Sequence, residues 1–335
     1  MTIHRSDDLL VELLPAYALD ACDPDEAAAV EALLRRRPEL AREAARLADA
    51  AAWIGAAEAM EPPPRLRSMV FEQVRAATSG DAAARLYRAE ADRVAREFDD
   101  LDAADHDLRT PNGLTARELV VHVAAQESLL AQSVGRPVED IDSPDIEERT
   151  ARFVERYEAR PYADVVAAWR RAVDAVQAWA ADPTSQEADV EWLGLPMSRD
   201  DALVARSFEN WVHRDDLRKV RGRPAAPPSG AEVHLMAELS MQTLPAALQL
   251  TGRTRPGHTA RVVLTGDGGG EWLVPLDVAG PPTLGSPDVT LTTDVVDWCL
   301  LAAERIEPGE LVHTVEGDAE PAEELLVAAS AFAVL

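Results

Sequence analysis

The chain's 335 residues carry 33 Lys and Arg against 60 Asp and Glu, a formal charge of −27, with 47% apolar residues and two cysteines. At roughly 150 residues per domain this length predicts two or three domains, each with a core of its own, and 23 prolines with 17 glycines exclude a coiled coil or a fibre. The acidity argues against nucleic acid as a partner, because phosphate selects Lys and Arg, and two isolated cysteines build no disulfide framework, which predicts a reducing cytoplasm.

Lys219 is the only lysine and Arg supplies nearly all the positive charge, the usage of a GC-rich genome, so the acidity reads as an ordinary solvated surface. No membrane span is expected. The opening residues carry charge inside their apolar run, which is not a secretory signal, and the apolar tail from Leu325 to Leu335 is too short for a bilayer.

In chain order, Leu9, Leu10, Leu13, Leu14 and Tyr17 fall at helical spacing, with Pro15 as a kink or break. Asp23-Pro24-Asp25-Glu26 reads as an N-cap, a proline in the first turn and acids behind it, opening a helix through Val30, Leu33 and Leu34. Pro38 and a second Ala-rich helix towards Trp53 follow, then an extended Glu61-Pro62-Pro63-Pro64 and a short helix from Arg67 to Ala77. Thr78-Ser79-Gly80 reads as a hinge.

Amphipathic runs then occupy Ala83–Leu101, Thr115–Val134, Tyr162–Ala181, Arg199–Arg221 and Ala231–Leu250, separated by loops rich in Pro, Gly and Asp. Such runs predict a helical bundle, whose sites are built from inward-facing side chains of different helices. From His258 the pattern changes. Arg261–Thr265, the Asp267-Gly268-Gly269-Gly270 turn and Glu271–Leu276 predict a hairpin. Val289–Thr293 is a further strand, Asp294 caps a helix through Trp298 and Leu301, and a strand near Leu311–Val315 and a helix from Pro321 complete an α+β unit. The apolar faces of Val262, Leu264, Val274 and Leu276 are expected to be core. The fold class is thus mainly α, with a helical domain at 1–75, a bundle at 81–255 and an α+β domain at 258–335.

Chemistry concentrates in two places. Glu209 and His213, four apart, leave one face of a helix and can meet at one point. His122 sits between Val121 and Val123, where an imidazole needs a partner for each ring nitrogen. Opposed, the three supply two imidazoles and a carboxylate, enough for a Zn²⁺-like ion with an open position. Spacing alone equally describes a surface Glu–His contact and a hydrogen-bonded core histidine. Asp215 or Asp216 is placed to orient His213, and Arg214 and Arg218 are candidates to hold a substrate carboxylate.

The segment Gly113-Leu114-Thr115-Ala116-Arg117-Glu118-Leu119-Val120-Val121-His122-Val123-Ala124, paired with Phe208-Glu209-Asn210-Trp211-Val212-His213-Arg214-Asp215-Asp216, resembles the mycothiol-dependent maleylpyruvate isomerase family of DinB-like four-helix metal-binding bundles. The resemblance runs from about Ala83 to the C-terminus and implies a sterol-carrier-like C-terminal domain. It departs at Leu114, where the family often has an aromatic. It implies that His122, Glu209 and His213 hold a divalent metal, zinc first. It also implies that mycothiol is the thiol cofactor, and that a small conjugated substrate is isomerised by addition and loss of the thiol.

The stretch from Leu10 to Asp20, with Asp23-Pro24-Asp25-Glu26 and Val30–Leu34, resembles the N-terminal domain of zinc-associated anti-sigma factors. The zinc ligands of that family would fall at Leu33, Arg37 and Leu40, none of which binds zinc, so a zinc-release switch is excluded while the helices can survive around Leu33 and Leu40. This resemblance implies a sigma factor as a possible partner of residues 1–75. Two readings follow: a metal- and thiol-dependent enzyme, or an anti-sigma-like regulator whose bundle senses a thiol or other ligand.

Overall fold

The structure, a computed structural model, describes residues 10–11, 13–19, 21–22, 24–37, 40–47, 64–186, 188–192, 195–278 and 287–331. The chain divides into two compact units, Met1–Val70 and Phe71–Leu335. Asp23, Trp53 and Glu61-Pro62-Pro63, singled out in the sequence, lie outside the described residues.

In the first unit, helix α1 (Leu14–Ala18) carries Pro15 in its first turn, where the missing N–H costs nothing, so the expected break is a helix start. Helix α2 (Pro24–Arg36) and a helical stretch at 40–47 complete a small core of Leu10, Leu14, Val30, Leu33 and Ala44. Leu33 is fully buried and Leu40 packs against the same cluster, so two positions without ligand chemistry serve as apolar packing.

Helix α3 (Pro64–Asp99) runs unbroken through Thr78-Ser79-Gly80. The expected hinge is therefore helix, and the short helix expected at Arg67–Ala77 is part of a longer one. One glycine inside a helix costs about 1 kcal/mol, less than ending one helix and nucleating the next.

The second unit opens with a bundle of α3, α4 (Ala116–Ser133), α6 (Tyr162–Ala180) and α7 (Arg199–Val220). A capping box starts α4: the Thr115 side chain accepts from the Glu118 backbone N–H, and Glu118 accepts from that of Thr115. An extra helix, α5 (Ile146–Tyr157), packs on α4 through Arg149, Phe153 and Tyr157. The sequence reading missed it because charged residues dominate its other faces. A short antiparallel hairpin, β1 (Asp189–Trp192) and β2 (Leu195–Ser198), leads into α7. Ion pairs tie α7 and the residue after it to α3: the buried Arg214 Nε lies 2.6 Å from Glu90, and the partly buried Arg218 and Arg221 reach Glu97 at 3.2 and 2.9 Å.

Helix α8 (Gly230–Leu250), which its periodicity groups with the bundle, packs on α7 and also on the α+β portion. That portion is a four-stranded sheet in the order β4-β3-β5-β6. Strands β3 (Thr259–Thr265) and β4 (Gly270–Pro275) form the expected antiparallel hairpin. Strand β5 (Val289–Asp294) runs parallel to β3, and β6 (His313–Gly317) antiparallel to β5. Helices α9 (Val295–Ala302) and α10 (Ala319–Ser330) pack with α8 over one face. Val262, Leu264, Val274 and Leu276 are buried there, in a cluster that continues into the bundle through Phe208, Trp211 and Val212. The hairpin turn meets the start of α8 so closely that a Cβ on Gly268 (φ +90°) would stand 2.1 Å from the Gly230 carbonyl oxygen. The fold is mainly α. No helix among the described residues is long and apolar enough to cross a membrane.

Candidate functional site

Of the three side chains singled out as metal ligands, His213 stands against each of the other two. His122 on α4 and His213 on α7 stand edge to face, with ring centroids 5.3 Å apart, and His213 Nε2 lies 3.3 Å from Glu209 Oε2 on its own helix. His213 is buried, while Glu209 keeps 31% of its side chain exposed, so the cluster opens on the carboxylate side. The i,i+4 spacing superposes Glu209 and His213, as the sequence predicts.

Each histidine is faced by a polar side chain from behind. His122 Nδ1 lies 3.0 Å from Thr150 Oγ1 on α5, the helix missed in the sequence. His213 Nδ1 lies 3.5 Å from Asp216 Oδ2, and Asp216 accepts hydrogen bonds from Arg305 at 3.0 and 2.7 Å. Arg305 follows α9, so the α+β portion reaches the site, a contact that no local spacing could reveal. Of the two aspartates considered in the sequence, Asp216 faces His213. Asp215 accepts instead from Trp211 Nε1 and the Ala226 backbone N–H.

Arg214 and Arg218 are not available to a substrate. Arg214 is buried, donating to Glu90 and the Ala226 carbonyl; Arg218 donates to Glu97 and the Pro224 carbonyl. Their spacing on α7 suits the glutamates of α3, which the sequence alone did not oppose to them.

The electrostatics separate the three groups. Burial, aided by the neighbouring His213, pushes the His122 imidazole down to about 3, so it is neutral at pH 7. Burial acts to raise the Glu209 pKa, but contact with His213, with Arg206 and His122 nearby, outweighs it and holds the carboxyl at about 2. Burial acts to lower the His213 pKa, and the Asp216 and Glu209 carboxylates overcome it and raise it.

Among the described residues, no group of three or more His, Cys, Asp or Glu is arranged as a metal-holding cage. Glu209 and His213 instead contact each other. The donor chemistry nevertheless fits a divalent cation. Neither ring nitrogen of His213 has an aligned hydrogen bond, although Nδ1 faces Asp216 and Nε2 faces Glu209, and the neutral His122 has its Nδ1 engaged by Thr150. One buried ring nitrogen on each histidine is thus left for a ligand sphere to take up.

Residues 87–218 match the family model described as the mycothiol maleylpyruvate isomerase N-terminal domain, a stretch that contains all three side chains. The family resemblance of the two helical motifs is thus borne out over this segment. Two crystal structures of a mycothiol-dependent maleylpyruvate isomerase, one of them of a mutant, are similar to the chain at 16% identity and a TM-score of 0.49, covering 70% of this chain and 92% of theirs. No curated protein matches the chain. The family match begins at residue 87, so the anti-sigma resemblance of residues 1–75, and with it a sigma-factor partner, gains no support.

Proposed function

We propose that this chain is a metal- and thiol-dependent enzyme of the maleylpyruvate isomerase type, with mycothiol as its thiol and with His122, Glu209 and His213 as the metal ligands. One observation carries the reading: two imidazoles from different helices and one carboxylate converge within the segment that matches the isomerase N-terminal domain.

The protein's own groups suit these roles. Thr150 lies against Nδ1 of the neutral His122, and in the tautomer with its proton on Nδ1 the Nε2 lone pair is kept for the ligand sphere. Asp216, fixed by Arg305, sets the ring of His213 from its Nδ1 side. Glu209 stays ionised and adds the negative charge. A divalent metal bound here supplies acidity, lowering the pKa of a thiol so that its thiolate exists at neutral pH. Isomerisation of a conjugated double bond then needs a thiolate to add to one alkene carbon, rotation about the new single bond, and loss of the same thiolate. The electron pair returns to the alkene, and nothing is oxidised or reduced. The reading takes the thiol from a soluble cofactor, since Cys299 is fully buried with its thiol pushed up to about 12.

The test is the ultraviolet absorbance of maleylpyruvate mixed with the full chain, with and without mycothiol. The reading predicts isomerisation only with thiol present, and its loss in H122A. Equal rates without thiol, or no rate with it, contradict the assignment.

A further inference from the structure

Beside the three side chains lies a fully buried polar group that takes no part in the chemistry just described. The Arg206 guanidinium, with no solvent exposure, donates from Nε to Glu127 Oε2 at 2.9 Å and from Nη1 to Gln126 Oε1 at 2.8 Å. Its Nη2 donates to Asn210 Oδ1 at 2.7 Å and reaches the Val123 carbonyl at 3.4 Å. Glu127, also fully buried, is held on its other oxygen by the Tyr87 hydroxyl from α3 and touched by Asn210 Nδ2. Val123, Gln126 and Glu127 lie within five residues of His122 on α4; Arg206 and Asn210 flank Glu209 on α7.

Apolar side chains alone fix a helix pair loosely along its axis, because one ridge can slide past the next. A guanidinium is planar, with donors in a rigid fork, and satisfies the three acceptors on α4 only in one axial register. Desolvating such an ion pair is costly, so its gain is specificity of arrangement more than stability.

We propose that Arg206 is a positioning residue: by bonding to Glu127, Gln126 and Val123 across the helix pair it fixes the axial register of α4 against α7, and so the separation of His122 from His213. The inference deepens the proposed reading of these histidines as one site, and its test is independent of any metal or turnover.

The experiment uses the full chain with selectively labelled histidine, stripped of metal by a chelator, and reads the cross-relaxation between the His122 and His213 ring protons. Wild type shows the cross-peak expected of rings 5.3 Å apart. R206M alone leaves Glu127 buried and unpaired and can fail to fold, so the deciding variant is R206M/E127M, which removes the ion pair as a unit. With a wild-type circular dichroism spectrum, this variant loses the cross-peak. R206K, which keeps the charge but not the fork, weakens it. An unchanged cross-peak in folded R206M/E127M overturns the proposal. Absence of metal binding by wild type would sink the functional reading and leave this result standing.

Discussion

At the scale of single residues, the site is a balance between burial and opposite charge. His122 is driven neutral by burial, whereas Asp216 and Glu209 raise the His213 pKa and contact with His213 lowers that of Glu209. The side chain with the widest consequence is Arg305, because it reaches the site from outside the bundle and neutralises the otherwise buried Asp216. Removing it leaves that carboxylate uncompensated behind His213. R305M is therefore expected to weaken zinc binding by about 10- to 100-fold, the usual effect of losing an outer partner of a ligand; competition with a chromophoric chelator measures this. Affinity equal to wild type would show that Asp216 does not orient the histidine. His122, Glu209 and His213 were legible because helical periodicity superposes residues four apart and because an imidazole between valines is unusual. Arg305 and Thr150 were not, since Thr150 meets His122, and Arg305 meets the Asp216 that faces His213, through tertiary contacts between separate elements.

At the scale of elements, the long bundle helices were legible from apolar periodicity and capping, while α5 was hidden by its composition: its buried residues are Arg149, Phe153 and Tyr157, and one of them is charged. Arg149 is satisfied there by Ser128, Gln132 and the Ser143 carbonyl. The loop before α5 is tied down by Glu139, which accepts from Arg156, Arg171 and Tyr157. Burial acts to raise the Glu139 pKa, but these donors outweigh it and lower it. A depressed folded pKa contributes stability above the ordinary carboxylate pKa and loses it as pH falls through the folded value. E139Q should thus cost about 1–2 kcal/mol at pH 7, with the gap from wild type closing below about pH 4; urea melts across pH test this, and a pH-independent gap would contradict it. The end of α9 offers a second test. Glu304 adopts φ +55° to close that helix, just before Arg305. Glycine takes this conformation without Cβ strain, so E304G is expected to stabilise the chain by about 0.5–1 kcal/mol, read as a higher Tm. A lower Tm would mean that the Glu304 side chain makes a stabilising contact.

At the scale of the whole molecule, the family match ends at residue 218, yet the core continues from the bundle through α8 into the sheet, and the Arg305–Asp216 pair crosses the same boundary. The change from helical periodicity to alternating strands near His258 was plain in the sequence. That the two patterns share one core was not, because α8 presents apolar residues to both sides. The net charge of −27 places no partner, and the small first unit keeps helices around Leu33 without the ligands that its resemblance would require. The central claim is that His122, Glu209 and His213 hold one divalent cation between them. Elemental analysis of the purified full chain, beside H122A, E209Q and H213A, tests it most directly. The account predicts a single equivalent of metal per wild-type chain and its loss in each variant while the helical circular dichroism spectrum is retained; metal content unchanged by all three substitutions would contradict it.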